Sequence, residues 1–564
     1  MKYKNVKWLR FIQIAILVSC ILILGLFSCL KLSEFLHPTK YIVSSENIIV
    51  VKIPYKKDGE IVEDVLKLPR GTEVEVRETE QTKSTVRYEN KIFTIDNHYL
   101  ADSLDECVQT EYVYPRRLVN LYSEKNGKLS SVIANKGEEL KVVSVSGKDL
   151  NSQTGVVNWY KVEKEDKTYW INGNYVETTE KLANKTYSGS VVYSTYWDQY
   201  YGKNYSKNAY ITQVDYKPFA QVSYPDNPIR TDINCVHTNL DTLVAHKEYF
   251  MDLKKKTSIN SLCIELKGDE GYLWYKSDVP EKYMNTSNVV CDYAILSQKE
   301  LSKLFKEFQD EGFYIIARLV TFKDPLFAQY DKNAALTDKQ GNLLLHNNSY
   351  WPSAYSREAW MYNVDIAKEV AACNVNEIQF DYVRFPDGTL QNSLDNTIDF
   401  KNKYNESKVS ALQGFLMYAK ISLMDYQVYV AADIFGWPVV AEDDQDIGQF
   451  LPAMASVVDV ISPMPYLDHF SKGSMGIEDP TEKPRETLKQ FSSVVKRQLD
   501  KIESSCIYRT WIQGYSCSSE DIKNEIYGIN DLNYEGYMIW YGNGNPNDLD
   551  KIKDGFIDSK IKEE

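Results

Sequence analysis

The sequence lacks the signatures of several enzyme classes. Its 564 residues include only six histidines, all dispersed, and no HExxH occurs. That excludes the helix-borne zinc site of a metallopeptidase and leaves no ligand set for a metal-dependent deacetylase. No GxSxG elbow marks an esterase, and no P-loop is present. Of nine cysteines, two lie in an N-terminal apolar run. The other seven (Cys107, Cys235, Cys263, Cys291, Cys373, Cys506 and Cys517) form no CxxC and no Cys/His cluster, so neither a metal nor a cofactor is expected. A Cys506–Cys517 bridge would suit an oxidising compartment, but nothing requires it. Positive charge is also short, with 65 Lys and Arg against 79 Asp and Glu and a net charge of −14. A body so acidic, with no basic face, repels nucleic acid, and no such partner is expected.

What is present is a folded composition, 43% hydrophobic and 26% charged, in a chain long enough for two to four domains. Tyrosine is abundant, at 42 residues. Its apolar face and polar tip suit contact surfaces, including those that stack on sugars. Residues 1–10 form a basic segment with Lys2, Lys4, Lys7 and Arg10 and no acid. Residues 11–30 are apolar apart from Gln13, Ser19 and Ser28. About 20 such residues cross a bilayer, and the preceding cations put the N-terminus inside. The expectation is a single-pass membrane anchor with a cytoplasmic N-terminus and the bulk of the chain extracellular. A cleaved signal peptide or a lipoprotein signal (LVSC at 17–20, LFSC at 26–29) are the rivals.

Two segments behind this run repeat each other. NKIFTIDNHYL (90–100) aligns with DKTYWINGNYV (166–176), and LPRGTEVEV (68–76) with ANKGEELKV (134–142). Short alternating strands with Gly turns predict two small all-β barrels, at 44–105 and 112–180. The second, with NWYKV and YWINGNYV, resembles a bacterial SH3-type domain; the first is a weaker match. That resemblance implies binding of cell-wall peptide or glycan, with a simple spacer as the alternative. Residues 181–231 read as an irregular connector rich in Tyr, Ser and Asn.

From 232 to 560 strands alternate with amphipathic helices. Candidate strands are NCVHT (234–238), SLCIEL (261–266), FYIIARLV (313–320), EIQFD (377–381), QVYVAAD (427–433), VVDVIS (457–462), YRTWIQGY (508–515) and GYMIWY (536–541). The clearest helix is SQKELSKLFKEFQDEG. Ser297 and Glu300 make a capping box, Leu301, Leu304, Phe305 and Phe308 share one face, and Gly312 ends it. Eight such units predict an α/β fold of the (β/α)8, TIM-barrel type. A doubly wound open sheet is the runner-up, disfavoured because no Gly-rich nucleotide loop follows an early strand.

Such a barrel works at the C-terminal ends of its strands. The fourth strand ends in Asp381 and the fifth in Asp433, and adjacent strands lie about 5 Å apart, so the two carboxylates can flank one bond. Glycoside hydrolysis asks for such a pair, one ionised and one kept protonated. Asp381 is expected as nucleophile or base, tuned by Arg384, and Asp433 as general acid. The bland alternative has Arg384 neutralising Asp381 and Asp433 capping a turn. Other strand ends bring candidate substrate-binding residues: Gln379, Glu265, Lys267, Asp269, Arg318, Lys323, Tyr466, His469, Gln513 and Trp540. Trp274, Trp351 and Trp437 lie in loops where a ring can stack on a sugar.

Residues 232–545 resemble a bacterial family of glycoside hydrolase domains. The likeness rests on VTFKDPLFA (320–328), WPSAYSREAWMYNVDIAKEV (351–370), NEIQFDYVRFPDG (376–388), DIFGW (433–437) and SPMPYLDHF (462–470). It implies a (β/α)8 barrel with Asp381 and Asp433 as the catalytic pair. Glu265 stands where that family usually has Asp, and IWYGNGN replaces an ending closer to WNA. The expected function is hydrolysis of a cell-wall or cell-surface polysaccharide by a membrane-anchored enzyme. The alternative is a non-catalytic glycan-binding or wall-scaffolding protein.

Overall fold

In the computed structural model the described residues are 37–57, 60–185, 187, 213–286, 289–291 and 294–556. The chain divides into two compact units, one of residues 1–114 and 138–183, the other of 115–137 and 184–564. The expected anchor at 11–30 and much of the 181–231 connector lie outside the described residues. Among the described residues no helix is long and apolar enough to cross a membrane. The expectation of a single-pass anchored chain with its bulk outside is corrected accordingly.

The first unit is antiparallel throughout. Thr39–Ile42, Glu73–Thr79, Lys83–Tyr88, Lys91–Asp96 and Leu100–Ala101 make a five-stranded sheet, and Ile48–Lys57 pairs with Glu60–Pro69 in a separate hairpin. Tyr112–Pro115, Leu140–Ser144, Trp159–Lys164 and Lys167–Asn172 pair in a second ladder. The repeat survives folding. Lys91–Asp96 and Lys167–Asn172 are strands, each followed by one 3-10 turn (Asn97–Tyr99, Gly173–Tyr175) and a two-residue strand. The two segments expected as small barrels take different forms. The first segment divides between a sheet and a hairpin, and residues 115–137 of the second belong to the other compact unit.

The second unit holds nine parallel strands: β1 (Asn234–Asn239), β2 (Ser261–Lys267), β3 (Tyr314–Val320), β4 (Glu377–Asp381), β5 (Tyr429–Phe435), β6 (Val460–Met464), β7 (Ile507–Tyr508), β8 (Trp511–Gln513) and β9 (Tyr537–Trp540). Their order is β7-β6-β5-β4-β3-β2-β1-β9-β8. The regular eight-stranded barrel is thus corrected to a curled, half-barrel sheet of nine strands. The extra strand arises because the expected seventh strand is broken in two. The break falls at Arg509, whose guanidinium is fixed on buried Glu377, and at Thr510, whose hydroxyl donates to Pro463 O. The two halves then form the opposite edges of the ladder.

Helices α1 (Gln298–Asp310), α2 (Arg357–Ala371), α3 (Lys408–Leu423), α4 (Pro484–Ile502) and α5 (Ser519–Asn530) connect the strands. In α1 the Ser297–Glu300 capping box is closed, Leu301, Leu304, Phe305 and Phe308 are buried, and Gly312 ends the helix in the left-handed region at φ +81°. Inside the sheet's curl, Cys235, Cys263, Tyr314, Ile316, Trp511 and Met538 form one core cluster. This packed floor carries the candidate site above it.

Candidate active site

Strand β4, EIQFD, is buried along its whole length, which rules out a solvated edge. Its polar residues face the interior at three depths, as the period-2 alternation of a strand requires. Glu377, deepest, accepts from Arg509 Nη1 at 2.8 and 3.0 Å and from Tyr314 Oη at 3.1 Å. Gln379, in the middle, donates to Ser462 Oγ at 3.3 Å and accepts from Cys263 Sγ at 3.2 Å. Asp381 lies uppermost. Its Oδ2 accepts from Arg318 Nε at 3.1 Å and Nη2 at 2.5 Å, and its Oδ1 accepts from the Tyr382 amide at 2.5 Å. Tyr382 holds that amide in place from a left-handed conformation, φ +51°, which a bulky residue adopts only under strain.

Register pairs Gln379 with Ala431 and Phe380 with Ala432, so the next residues, Asp381 and the nearby Asp433, come level on neighbouring strands. Asp433 is fully buried. Its Oδ1 accepts from Trp511 Nε1 at 2.7 Å, while its Oδ2 has no hydrogen-bond partner. Burial, and then the charge of Asp381, hold its carboxyl well above the usual range, outweighing Trp511 and Arg318, which act the other way. One carboxylate is therefore charge-paired, while its neighbour's carboxyl is held well above the usual range.

Arg318 joins a third acid to the pair, since its Nη1 donates to Glu265. Burial works to raise the Glu265 carboxyl, but the Arg318 charge and the facing His237 and Trp274 outweigh it, leaving it below its usual range. Trp540 lies under the same guanidinium, 5.4 Å from its ring centre. Tyr466 belongs to the interior cluster beneath.

The remaining expected residues are spread more widely. Arg384 does not hydrogen-bond Asp381. It donates to Phe385 O and Asp387 and lies over the rings of Trp351, Tyr382 and Phe435 at 4.5–5.0 Å, so Arg318 is the cation that pairs with Asp381. Lys267 is wholly enclosed, with its ammonium on Asp324 (2.7 Å), Val320 O (2.8 Å) and Asn363 (3.0 Å). Gln379 and Trp351 are likewise buried. At the rim, Lys323 pairs with Asp269 at 2.5 Å, Trp437 is 48% exposed, and His469 is exposed beside Asp468. Gln513 Oε1 accepts from the Asp468 amide at 3.2 Å. A search confined to strand ends passes over His237, Trp511 and Tyr382. Only the alternation of β1 and the broken seventh strand hints at the first two.

Residues 236–545 match the family described as "Putative glycosyl hydrolase domain". The chain belongs to that family. By family it is a glycosyl hydrolase, and a polysaccharide is its class of substrate. Among solved structures, the chain is similar to a hypothetical protein from Ruminiclostridium thermocellum, with 28% identity over 35% of this chain and 96% of that chain at a TM-score of 0.30. It is also similar to the PgaB (BpsB) glycoside hydrolase domain from Bordetella bronchiseptica, with 13% identity over 58% of this chain and 99% of that one at a TM-score of 0.43. No curated protein matches the sequence.

Proposed function

We propose that the protein cleaves the glycosidic bonds of a polysaccharide through Asp381 and Asp433. Asp433 is the general acid, protonating the leaving oxygen from its unpartnered Oδ2. Asp381 is the nucleophile or the base that activates water, its charge held in place by Arg318 and the Tyr382 amide. The observation that carries this reading is the contrast between neighbours, one carboxyl paired with a guanidinium and the other fully buried with an unpartnered Oδ2 and its titration pushed well upward. Trp540 and the exposed Trp437 offer aromatic faces for sugar rings.

The test is release of reducing ends in a screen of polysaccharides that includes bacterial cell-wall and cell-surface polymers. Turnover by the wild type, lost in both Asp381→Asn and Asp433→Asn, is the expected result. The full enclosure of Asp433 is the one observation favouring a cleft that holds glycan without cutting it. Binding without turnover on every polymer would establish that second reading.

A further inference from the structure

Beside the carboxylate pair, the side chains around Glu265 leave polar atoms unused. His237 projects from β1 into the interior and is 1% exposed, yet neither ring nitrogen has a hydrogen-bond partner. Its Nε2 stands 3.8 Å from Glu265 Oε2, too far for a hydrogen bond. Trp274, from the loop after β2, faces the same carboxylate, and its buried Nε1 forms no hydrogen bond of good geometry with it. Gly268 lets the backbone pass close to both. A Cβ there would lie 3.2 Å from Glu265 Oε1 and 3.3 Å from Trp274 Nε1. Trp540 completes the group, with its ring 4.3 Å from the His237 ring.

Buried polar groups in folded proteins are nearly always paired, so His237 and Trp274 nitrogens that face Glu265 without a well-formed hydrogen bond need a reason. Water would satisfy them too, but beside the carboxylate pair of a glycosidase a hydroxyl-bearing ligand fits them as well, and the Trp540 ring next to them packs on His237 and Arg318. A sugar ring supplies what the group lacks. Its hydroxyls both donate and accept, and its C–H face packs on an indole. Charge narrows the choice of sugar. Glu265 and Asp381 both pair with the one guanidinium of Arg318, so this cluster carries an excess of negative charge and disfavours a carboxylate-bearing ring.

We propose that Glu265, His237, Trp274 and Trp540 form a subsite that recognises adjacent hydroxyls of an uncharged sugar ring. Glu265 accepts from one hydroxyl while the Trp274 N–H and a His237 nitrogen meet the oxygens beside it. This deepens the glycosidase reading and rests on it for the position of the ring next to Asp381.

The test uses the full chain carrying Asp381→Asn, titrated calorimetrically with neutral oligosaccharides (cello-, xylo-, malto- and chito-oligomers) and with oligogalacturonate. At least one neutral oligomer is expected to bind. Adding Trp274→Phe or His237→Phe, which keep the rings but remove the nitrogens, should weaken that binding tenfold or more. Oligogalacturonate should bind more weakly than the neutral oligomer. Unchanged affinity in both Phe variants, tighter binding of oligogalacturonate, or no binding of any neutral oligomer overturns the proposal. Circular dichroism of each variant confirms that a loss of binding is not a loss of fold. Turnover by the wild type is scored separately. Cleavage that is indifferent to both Phe variants sinks the subsite and leaves the glycosidase, whereas tight binding without cleavage does the reverse.

Discussion

Asp433 couples the candidate chemistry to pH in two measurable ways. A general acid must hold its proton, so activity should fall on the alkaline side as pH rises through the raised value of Asp433. Asp433→Asn and Asp381→Asn should each cost about 100-fold or more in rate, measured as reducing ends released from whichever polymer the wild type cleaves. Stability follows the same proton. A carboxyl whose folded pKa is raised contributes stability that is fully present below its unfolded value, about 3.9, and is lost as pH rises through the folded value. Asp433→Asn removes that loss, so its melting temperature relative to wild type should climb with pH in thermal melts run from pH 4 to pH 9. An inactive variant that gains stability at high pH is the signature of a group kept protonated for function. Asp381 and Asp433 were legible in the sequence because each follows an apolar strand and precedes turn residues. Arg318 as the partner of Asp381 was not, since the choice between Arg318 and Arg384 depends on which guanidinium the curl of the sheet turns inward.

The broken seventh strand shows how a local ion pair decides the form of an element. Arg509 and Glu377 are both wholly buried, and each is the other's charge partner. Removing one partner of such a pair typically costs about 3–5 kcal/mol, because the other is left charged and alone. Arg509→Met should therefore lower the unfolding midpoint in denaturant titration by that order, and Glu377→Gln in the same chain should restore much of it. Just behind β8, α5 presents Glu525, fully buried, with Oε2 accepting the Gln513 amide at 3.0 Å and Oε1 unpartnered. Burial holds its carboxyl well above the ordinary range. By the same sign, Glu525→Gln should leave stability unchanged at pH 4 and raise it at pH 8, as read by melting temperature. Sequence pattern placed a strand across 508–515 because apolar and β-branched residues fill it. It gave no warning of the break, because the partner that draws Arg509 inward is 132 residues away.

Across the whole molecule, residues 115–137 belong with the C-terminal unit through charge as well as packing. Arg117 is buried, with Nη2 donating to Ser410 O at 2.8 Å and Nη1 to Gln413 Oε1 at 3.1 Å, and it pairs with Glu406 at 3.4 Å. Arg116 pairs with buried Asp215 at 2.9 Å. A fragment beginning at residue 184 leaves Asp215 without Arg116. Its melting temperature should be lower than that of a fragment beginning at residue 112, and differential scanning calorimetry of the two checks this.

The sequence by itself determined the parallel strands, the capped helix α1, the internal repeat and the two carboxylates. These rest on short-range pattern: the period-2 and period-3.6 placement of apolar residues, the reach of a Ser–Glu cap, and the turn residues behind each strand. Only the tertiary structure decided that Arg318 bridges Asp381 and Glu265, that Asp433 is fully buried with its Oδ2 unpartnered, that the seventh strand splits, and that residues 115–137 join the C-terminal unit. Each depends on which charged groups lose their water together, and that is fixed by burial among residues far apart in the chain.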